Sequence, residues 1–213
     1  MEKLIAMLVP MLEGLGITLE VFIITLALSL PLGLMLALAR ISNCKPLSFI
    51  VETYIWLMRG TPLMLQLLFV YYALPSVGIK MSDMTAALLA FSLNYAAYFA
   101  EIFRSGIQSI ERGQYEAAKC LGFSYIQTMR RIIIPQMIKR VLPPISNETI
   151  TLVKDTSLIY VLAMNDLLRT TRNLVQRDFS ITPFLVAGVF YLLMTLVLTY
   201  GFDKLEKRFS KYD

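Results

Sequence analysis

The chain has 213 residues, 57% hydrophobic and 16% charged, with mean hydropathy +0.64 and a formal net charge of +5. A soluble domain carries about a quarter of its residues as charges, and apolar runs of about 20 residues suffice to cross a bilayer core of about 30 Å, so the composition excludes a soluble fold and points to helical spans rather than the short alternating strands of a barrel. The lack of histidine excludes His-ligated metals and His-based catalysis, and the positive charge flanks the apolar runs, where topology accounts for it without nucleic acid.

The first predicted span covers residues 17–38, nearly uncharged and followed by Arg40 and Lys45. It is too long for a signal-peptide core and lacks a cleavage site, so it is read as a span. Residues 47–75 would measure on the order of 43 Å as one upright helix. Arg59-Gly60-Thr61-Pro62 interrupts them, so the first part is expected to be interfacial or sharply tilted. Pro75-Ser76-Val77-Gly78 reads as a turn into a third span, 83–103. A polar, basic stretch follows over 111–131, then a fourth span over 132–153 that contains Pro143, Pro144 and Glu148. Residues 165–176 alternate leucine and arginine like a helix lying on the membrane surface. The fifth span, 183–201, ends at a charged tail.

Residues 1–213 thus read as one transmembrane domain of five helices with no internal repeat. Five crossings put the termini on opposite sides. With the N-terminus outside, Arg40, Lys45, Arg104, Arg112, Lys119, Arg130, Arg131, Lys204, Lys207, Arg208 and Lys211 fall inside, and Lys3, Lys80, Arg169, Arg172 and Arg177 outside. Basic residues favour the cytoplasmic side, so the expected orientation is N-out, C-in. Cys44 and Cys120 then lie in cytoplasmic segments, without C-x-x-C spacing, and are expected to be free thiols. Asn147-Glu148-Thr149 matches a glycosylation acceptor but sits inside a span and is dismissed.

The stretch from Glu116 to Pro135 is built as a short helix, a glycine turn, a second short helix, and a proline entering the next span. Glu116 is expected in the first turn of its helix, where a carboxylate suits the dipole. Ala117 and Ala118 let a partner approach the backbone closely. Gly122 allows the positive φ that ends one helix and turns into the next. Pro135 fits a helical first turn. Such a loop either docks a soluble protein or simply joins two spans.

This segment resembles the EAA loop of ABC importer permeases: Glu116-Ala117-Ala118, Gly122, Ile132 and Pro135 fall on the pattern, with Ile134 where the pattern has leucine. Arg59-Gly60-Thr61-Pro62-Leu63 with Gln66 resembles the RGTP signature of the polar amino acid permeases, and Lys154-Asp155-Thr156-Ser157-Leu158 resembles their KDTSL run. The resemblance runs from the second span through the fourth. It implies a five-span, type I (MetI-like) permease with cytoplasmic coupling helices, in a bacterial cytoplasmic membrane as a multi-pass protein. It implies as partners a cytoplasmic ABC ATPase gripping Glu116, Ala117, Ala118 and Gly122, a second permease subunit, identical or homologous, and an external amino-acid-binding protein. No G-x-x-x-x-G-K-[ST] loop occurs, so the chain is expected to be no enzyme and to hold no cofactor. ATP and Mg²⁺ would belong to the partner.

Charges within a membrane are costly and mark pathways by default. Glu148, Thr151 and Asp155 share a helical face at i, i+3 and i+7, and Asn147, Thr151 and Lys154 form an adjacent one. With Asn94 on the third span, these are the candidate substrate-binding residues, because an amino acid presents both an ammonium and a carboxylate. For Glu148 the competing reading is a structural pair with Arg59 or with the second subunit. For Lys154 and Asp155 it is solvation or a structural pair near the outer end. Arg59, Gly60, Thr61 and Pro62 are read as a helix break that gates or shapes the bundle, although Arg59 near the cytoplasmic side also suits snorkelling. The expected function is ATP-driven import of polar amino acids, basic ones such as arginine, lysine or histidine foremost. The alternatives are neutral glutamine-type substrates and an ion-gradient-driven carrier.

Overall fold

The computed structural model describes residues 2–210, with the side chains of Glu2, Lys3 and Ser210 left aside. Of the residues used to orient the chain, Lys211 and the side chain of Lys3 lie outside that description. The described residues are helical throughout, with no strand. They form α1 (Glu2–Arg40), α2 (Lys45–Gly60), α3 (Leu63–Ser76), α4 (Asp83–Gln108), α5 (Arg112–Cys120), α6 (Tyr125–Thr128), a π-helical turn (Met129–Ile133), α7 (Ile134–Asp155), a 3₁₀ segment (Thr156–Leu162), α8 (Leu167–Asp178) and α9 (Thr182–Ser210).

Burial along α1 falls on Met7, Met11, Gly14, Thr18, Val21, Thr25, Ser29, Gly33 and Ala37, steps of three and four that lay one stripe along the helix. The stripe is rich in small residues, the feature that lets membrane helices approach closely. At Gly33 a Cβ would meet the Cβ of Phe99 at 2.7 Å and the carbonyl oxygen of Ala96 at 3.0 Å, so α1 and α4 pack nearly backbone to backbone. α4 is the hub: Ala87, Ala90, Phe91, Tyr95, Ala96, Ala97, Phe99 and Ala100 are all sealed from solvent. Ser82 caps it by accepting from the Thr85 amide at 3.2 Å.

Three helices, α1, α4 and α9, are individually long and apolar enough to cross a membrane, and α2 with α3 would make a fourth crossing bent by 106°. Residues 47–75 are two helices that meet at a sharp corner, at the Arg59-Gly60-Thr61-Pro62 run read as an interruption. α7 does not qualify by composition, because Lys139, Arg140, Glu148, Lys154 and Asp155 interrupt its apolar residues. The first helix also runs well past the predicted 17–38, beginning at Glu2.

The segment read as a surface helix is corrected by the structure. α8 wedges between α1 and α9 and buries Leu167, Thr171 and Leu174. Asp166 caps it, accepting from the amides of Leu168 at 3.1 Å and Arg169 at 3.0 Å. Burial pushes the Asp166 carboxyl above its usual range, against those two bonds. Thr18 on α1 accepts from the Leu167 amide at 3.2 Å. Arg172 and Arg177 face outward, Arg169 is partly buried, and the leucine side belongs to the core.

Candidate substrate cavity and docking loop

The residue before a proline is driven from helical to extended backbone by the proline ring. Thr61 accordingly sits at φ −120°, ψ 147°, and Pro62 at φ −61°, ψ 133°, which breaks the helix between α2 and α3. A break inside a membrane protein leaves carbonyls that must find donors. Gln66 supplies them: its amide nitrogen donates to the Met58 carbonyl at 2.9 Å, the Thr61 carbonyl at 3.2 Å and Thr61 Oγ1 at 2.7 Å. Asn94 on α4 adds bonds of 3.0 Å to the Met58 carbonyl and to Gln66 Oε1. The corner is thus clamped from both sides.

Against this corner stand α4 and α7. Arg59, Gly60, Thr61, Pro62, Asn94, Tyr95, Tyr98, Glu148, Thr151 and Asp155 all border one cavity of about 550 Å³. The i, i+3, i+7 face expected for Glu148, Thr151 and Asp155 is the face α7 turns to it. Tyr95 donates to Asp155 Oδ2 at 2.7 Å, and Thr151 donates to its own helix at the Asn147 carbonyl, 3.0 Å away. Glu148 is half-buried and has no hydrogen-bond or ion-pair partner among the described residues. The intrachain pair with Arg59 is therefore not made. The guanidinium of Arg59 instead lies over the Tyr98 ring, 5.4 Å from its centroid.

The structure does not gather all the expected residues. Lys154 is exposed and borders no part of this cavity, and Asn147 faces a neighbouring one. At about 100° per residue, both sit roughly a quarter turn from Glu148 and Asp155. Asn94 borders the cavity, but its amide hydrogens are committed to the α2–α3 corner. Two residues escaped the sequence reading: Tyr98, and Gln66 as the clamp. Gln66 stands inside the RGTP-like run without any pattern announcing its reach back over the break.

The loop at the other end follows the expected plan with two corrections. α5 starts at Arg112, so Glu116 lies in its second turn, not its first. Ala117 is exposed but Ala118 is fully buried, so the two alanines do not share one outward face. Gly122, at φ +76°, ends α5, with the Phe123 amide donating to the Ala118 carbonyl and the Gly122 amide to that of Lys119, both at 3.0 Å. That is a Schellman closure. Ser124 and Gln127 then form a reciprocal capping box that starts α6. Leu121, Tyr125 and Ile126 are left 65–75% exposed at the tip.

The profile of the family described as "Binding-protein-dependent transport system inner membrane component" matches residues 29–211. The chain belongs to that family. An arginine transport system permease protein of Bacillus subtilis is 38% identical to this permease, covering 95% of this chain and 93% of that protein. A glutamine transport system permease protein of Escherichia coli is 35% identical, covering 94% and 93%. A crystal structure of an amino acid ABC transporter with histidines superposes with a TM-score of 0.90 at 33% identity, covering 97% of each chain. The permease is an inner-membrane transport subunit rather than an ATPase.

Proposed function

We propose that this permease carries polar amino acids, basic ones foremost, through the cavity between the α2–α3 corner, α4 and α7. The observation that carries the reading is Glu148: an unpartnered carboxylate in a membrane helix, facing a cavity beside Asp155 and opposite a single guanidinium. A carboxylate without a partner in such a place is costly, and a substrate ammonium or guanidinium would relieve that cost. Thr151 and Asp155 border the same space. Asn94, Asn147 and Lys154 serve the bundle and its neighbouring surfaces.

The chain would cross the membrane five times, N-out and C-in, with the α2–α3 pair as one bent crossing and α7 as the polar inner crossing. Residues 1–213 would form a single permease domain. A cytoplasmic ABC ATPase would hold the α5–α6 loop through Glu116, Ala117 and Gly122 and would bind the ATP and Mg²⁺. A second permease subunit and an external binding protein would complete the importer. Nucleotide-driven closure of the ATPases would move the loops and swing the helices around the cavity by alternating access. The corner at Arg59, Gly60, Thr61 and Pro62 would give that swing its shape.

A neutral substrate of the glutamine type has independent support from the Escherichia coli relative, since Glu148 could hold its α-ammonium alone. The test is ATP-dependent uptake by the reconstituted complex across a panel of labelled amino acids. Glu148→Gln should lower arginine and lysine uptake by at least about tenfold, the equivalent of roughly 1.4 kcal/mol, with the complex still assembling. Unchanged uptake of both would end the assignment. A glutamine-only profile would move the permease to the neutral class.

A further inference from the structure

The cavity that holds Glu148 has a neighbour. A second cavity of about 330 Å³ is bordered by Arg59, Tyr98, Glu101, Ser105, Asn147 and Glu148, among others. It lies towards the end of α4 that leads into the docking loop. The residues common to both cavities are Arg59, Tyr98 and Glu148. These three side chains are the wall between the two spaces.

The middle member of that wall is loosely held at its head and firmly held at its root. The Arg59 guanidinium stacks over Tyr98 and has no carboxylate within 4 Å among the described residues. Its charge lies within electrostatic reach of Glu148 on one side and Glu101 on the other. The backbone beneath it is fixed, because Gln66 and Asn94 both bind the Met58 carbonyl next door. Glu101 is already served by Arg104, through bonds to both carboxylate oxygens, and by Arg40 at 3.7 Å. Glu148 has no such service. Among the described residues that border the two cavities Arg59 is the one cation, and so the one able to neutralise Glu148.

We infer that Arg59 is a built-in competitor for Glu148: it leaves its seat on Tyr98 to neutralise Glu148 and close the passage between the two cavities, and a cationic substrate group sends it back to that seat. This deepens the function proposed above and rests on Glu148 receiving the substrate's cation. The alternative for a guanidinium in this place is to hold the substrate's carboxylate, and the two roles predict opposite signs. A competitor that occupies a site lowers apparent affinity by the fraction of time the site is open, so removing it tightens binding; removing a ligand weakens binding.

The experiment measures equilibrium binding of radiolabelled arginine to the complex assembled with its ATPase, alongside nucleotide-independent exit of arginine from preloaded proteoliposomes. Arg59→Met keeps the length of the side chain and removes the charge. It should tighten binding by about tenfold if Arg59 holds Glu148 for about nine-tenths of the time, and should raise the exit rate. Tyr98→Leu removes the seat that draws the guanidinium away from Glu148, without touching the corner, and should move both readouts in the opposite direction by a smaller factor. It also stands in if Arg59→Met fails to assemble. In Glu148→Gln, adding Arg59→Met should change nothing. Weaker or unchanged binding in Arg59→Met, or tighter or unchanged binding in Tyr98→Leu where that is the assembled variant, overturns the proposal. If Glu148→Gln alone still binds arginine normally, the underlying site assignment falls; if it loses binding while the Arg59 variant fails to tighten it and the Tyr98 variant fails to weaken it, only the competitor role falls.

Discussion

Asn94 shows how a polar residue in a membrane helix can be structural even when it borders a cavity. Both hydrogens of its amide go to the α2–α3 corner, one to the Met58 carbonyl and one to Gln66 Oε1. Without Asn94 the Met58 carbonyl keeps its bond from Gln66, but Gln66 Oε1 loses its donor, and leaving such an acceptor unsatisfied costs about 1–3 kcal/mol. Asn94→Ala should therefore lower the melting temperature of the purified complex and reduce uptake of every transported amino acid by a similar factor. A shift in the rank order of substrates, with thermal stability intact, would instead place Asn94 in the recognition surface. Glu148 and Asp155 were legible from the sequence because helical periodicity alone puts them on one face. Asn94 was visible as a polar residue in an apolar run, but its purpose was not, since Met58 lies 36 residues away and Gln66 28. Tyr98 carried no signal at all: an aromatic in a membrane helix is ordinarily packing or an interface anchor, and only the fold brings the Arg59 guanidinium over it.

Among the elements, α5 illustrates where local reading stops. Its glycine terminus was predictable, because a residue at φ +76° is cheap only for glycine. Its start was not: Glu111 at the N-cap position makes no side-chain capping bond, so nothing in the pattern marks Arg112 as the first helical residue. That shift moves Glu116 into the second turn and sends Ala118 inward while Ala117 stays outside. The two alanines should consequently respond differently to bulk. Ala118→Leu forces extra methylenes into a packed site, at a cost of about 1–3 kcal/mol, and should lower the stability of the permease even without its ATPase. Ala117→Leu should leave the isolated permease unchanged and weaken co-purification of the ATPase. Equal behaviour of the two variants in both assays would refute this division. α8 teaches the converse lesson: its alternating pattern was read correctly as amphipathic, but whether the apolar side meets lipid or protein depends on Thr18 and Gly14 of α1, more than 140 residues earlier.

Taken whole, the molecule exposes both of its thiols. Cys44 lies between α1 and α2, and Cys120 is the last residue of α5. In the proposed N-out, C-in arrangement both face the cytoplasm. A membrane-impermeant maleimide should modify neither in sealed right-side-out vesicles and both in inverted ones, scored by mass shift in Cys44→Ser and Cys120→Ser single-thiol variants. With the ATPase attached, Cys120 should become protected and Cys44 should not. Labelling of either thiol from the outside would reverse the topology. The membrane class and the plan of the loop were legible from composition and a few motif positions, and residues 132–153 were read as a span although α7 fails a test of composition alone. Its charge has the same origin as its ability to border a polar cavity.

The π-helical turn at Met129–Ile133 has a geometric consequence. It inserts one extra residue per turn where the docking loop joins α7, and one residue of helix is worth about 100° of rotation. The direction in which Tyr125 and Ile126 point is thereby offset from the azimuth of Glu148 by an angle that an unbroken helix would not have produced. In the proposed importer the spliced-in residue would act as a phase adjuster, setting which compass bearing of the α7 shaft is loaded when the ATPase pulls the far end.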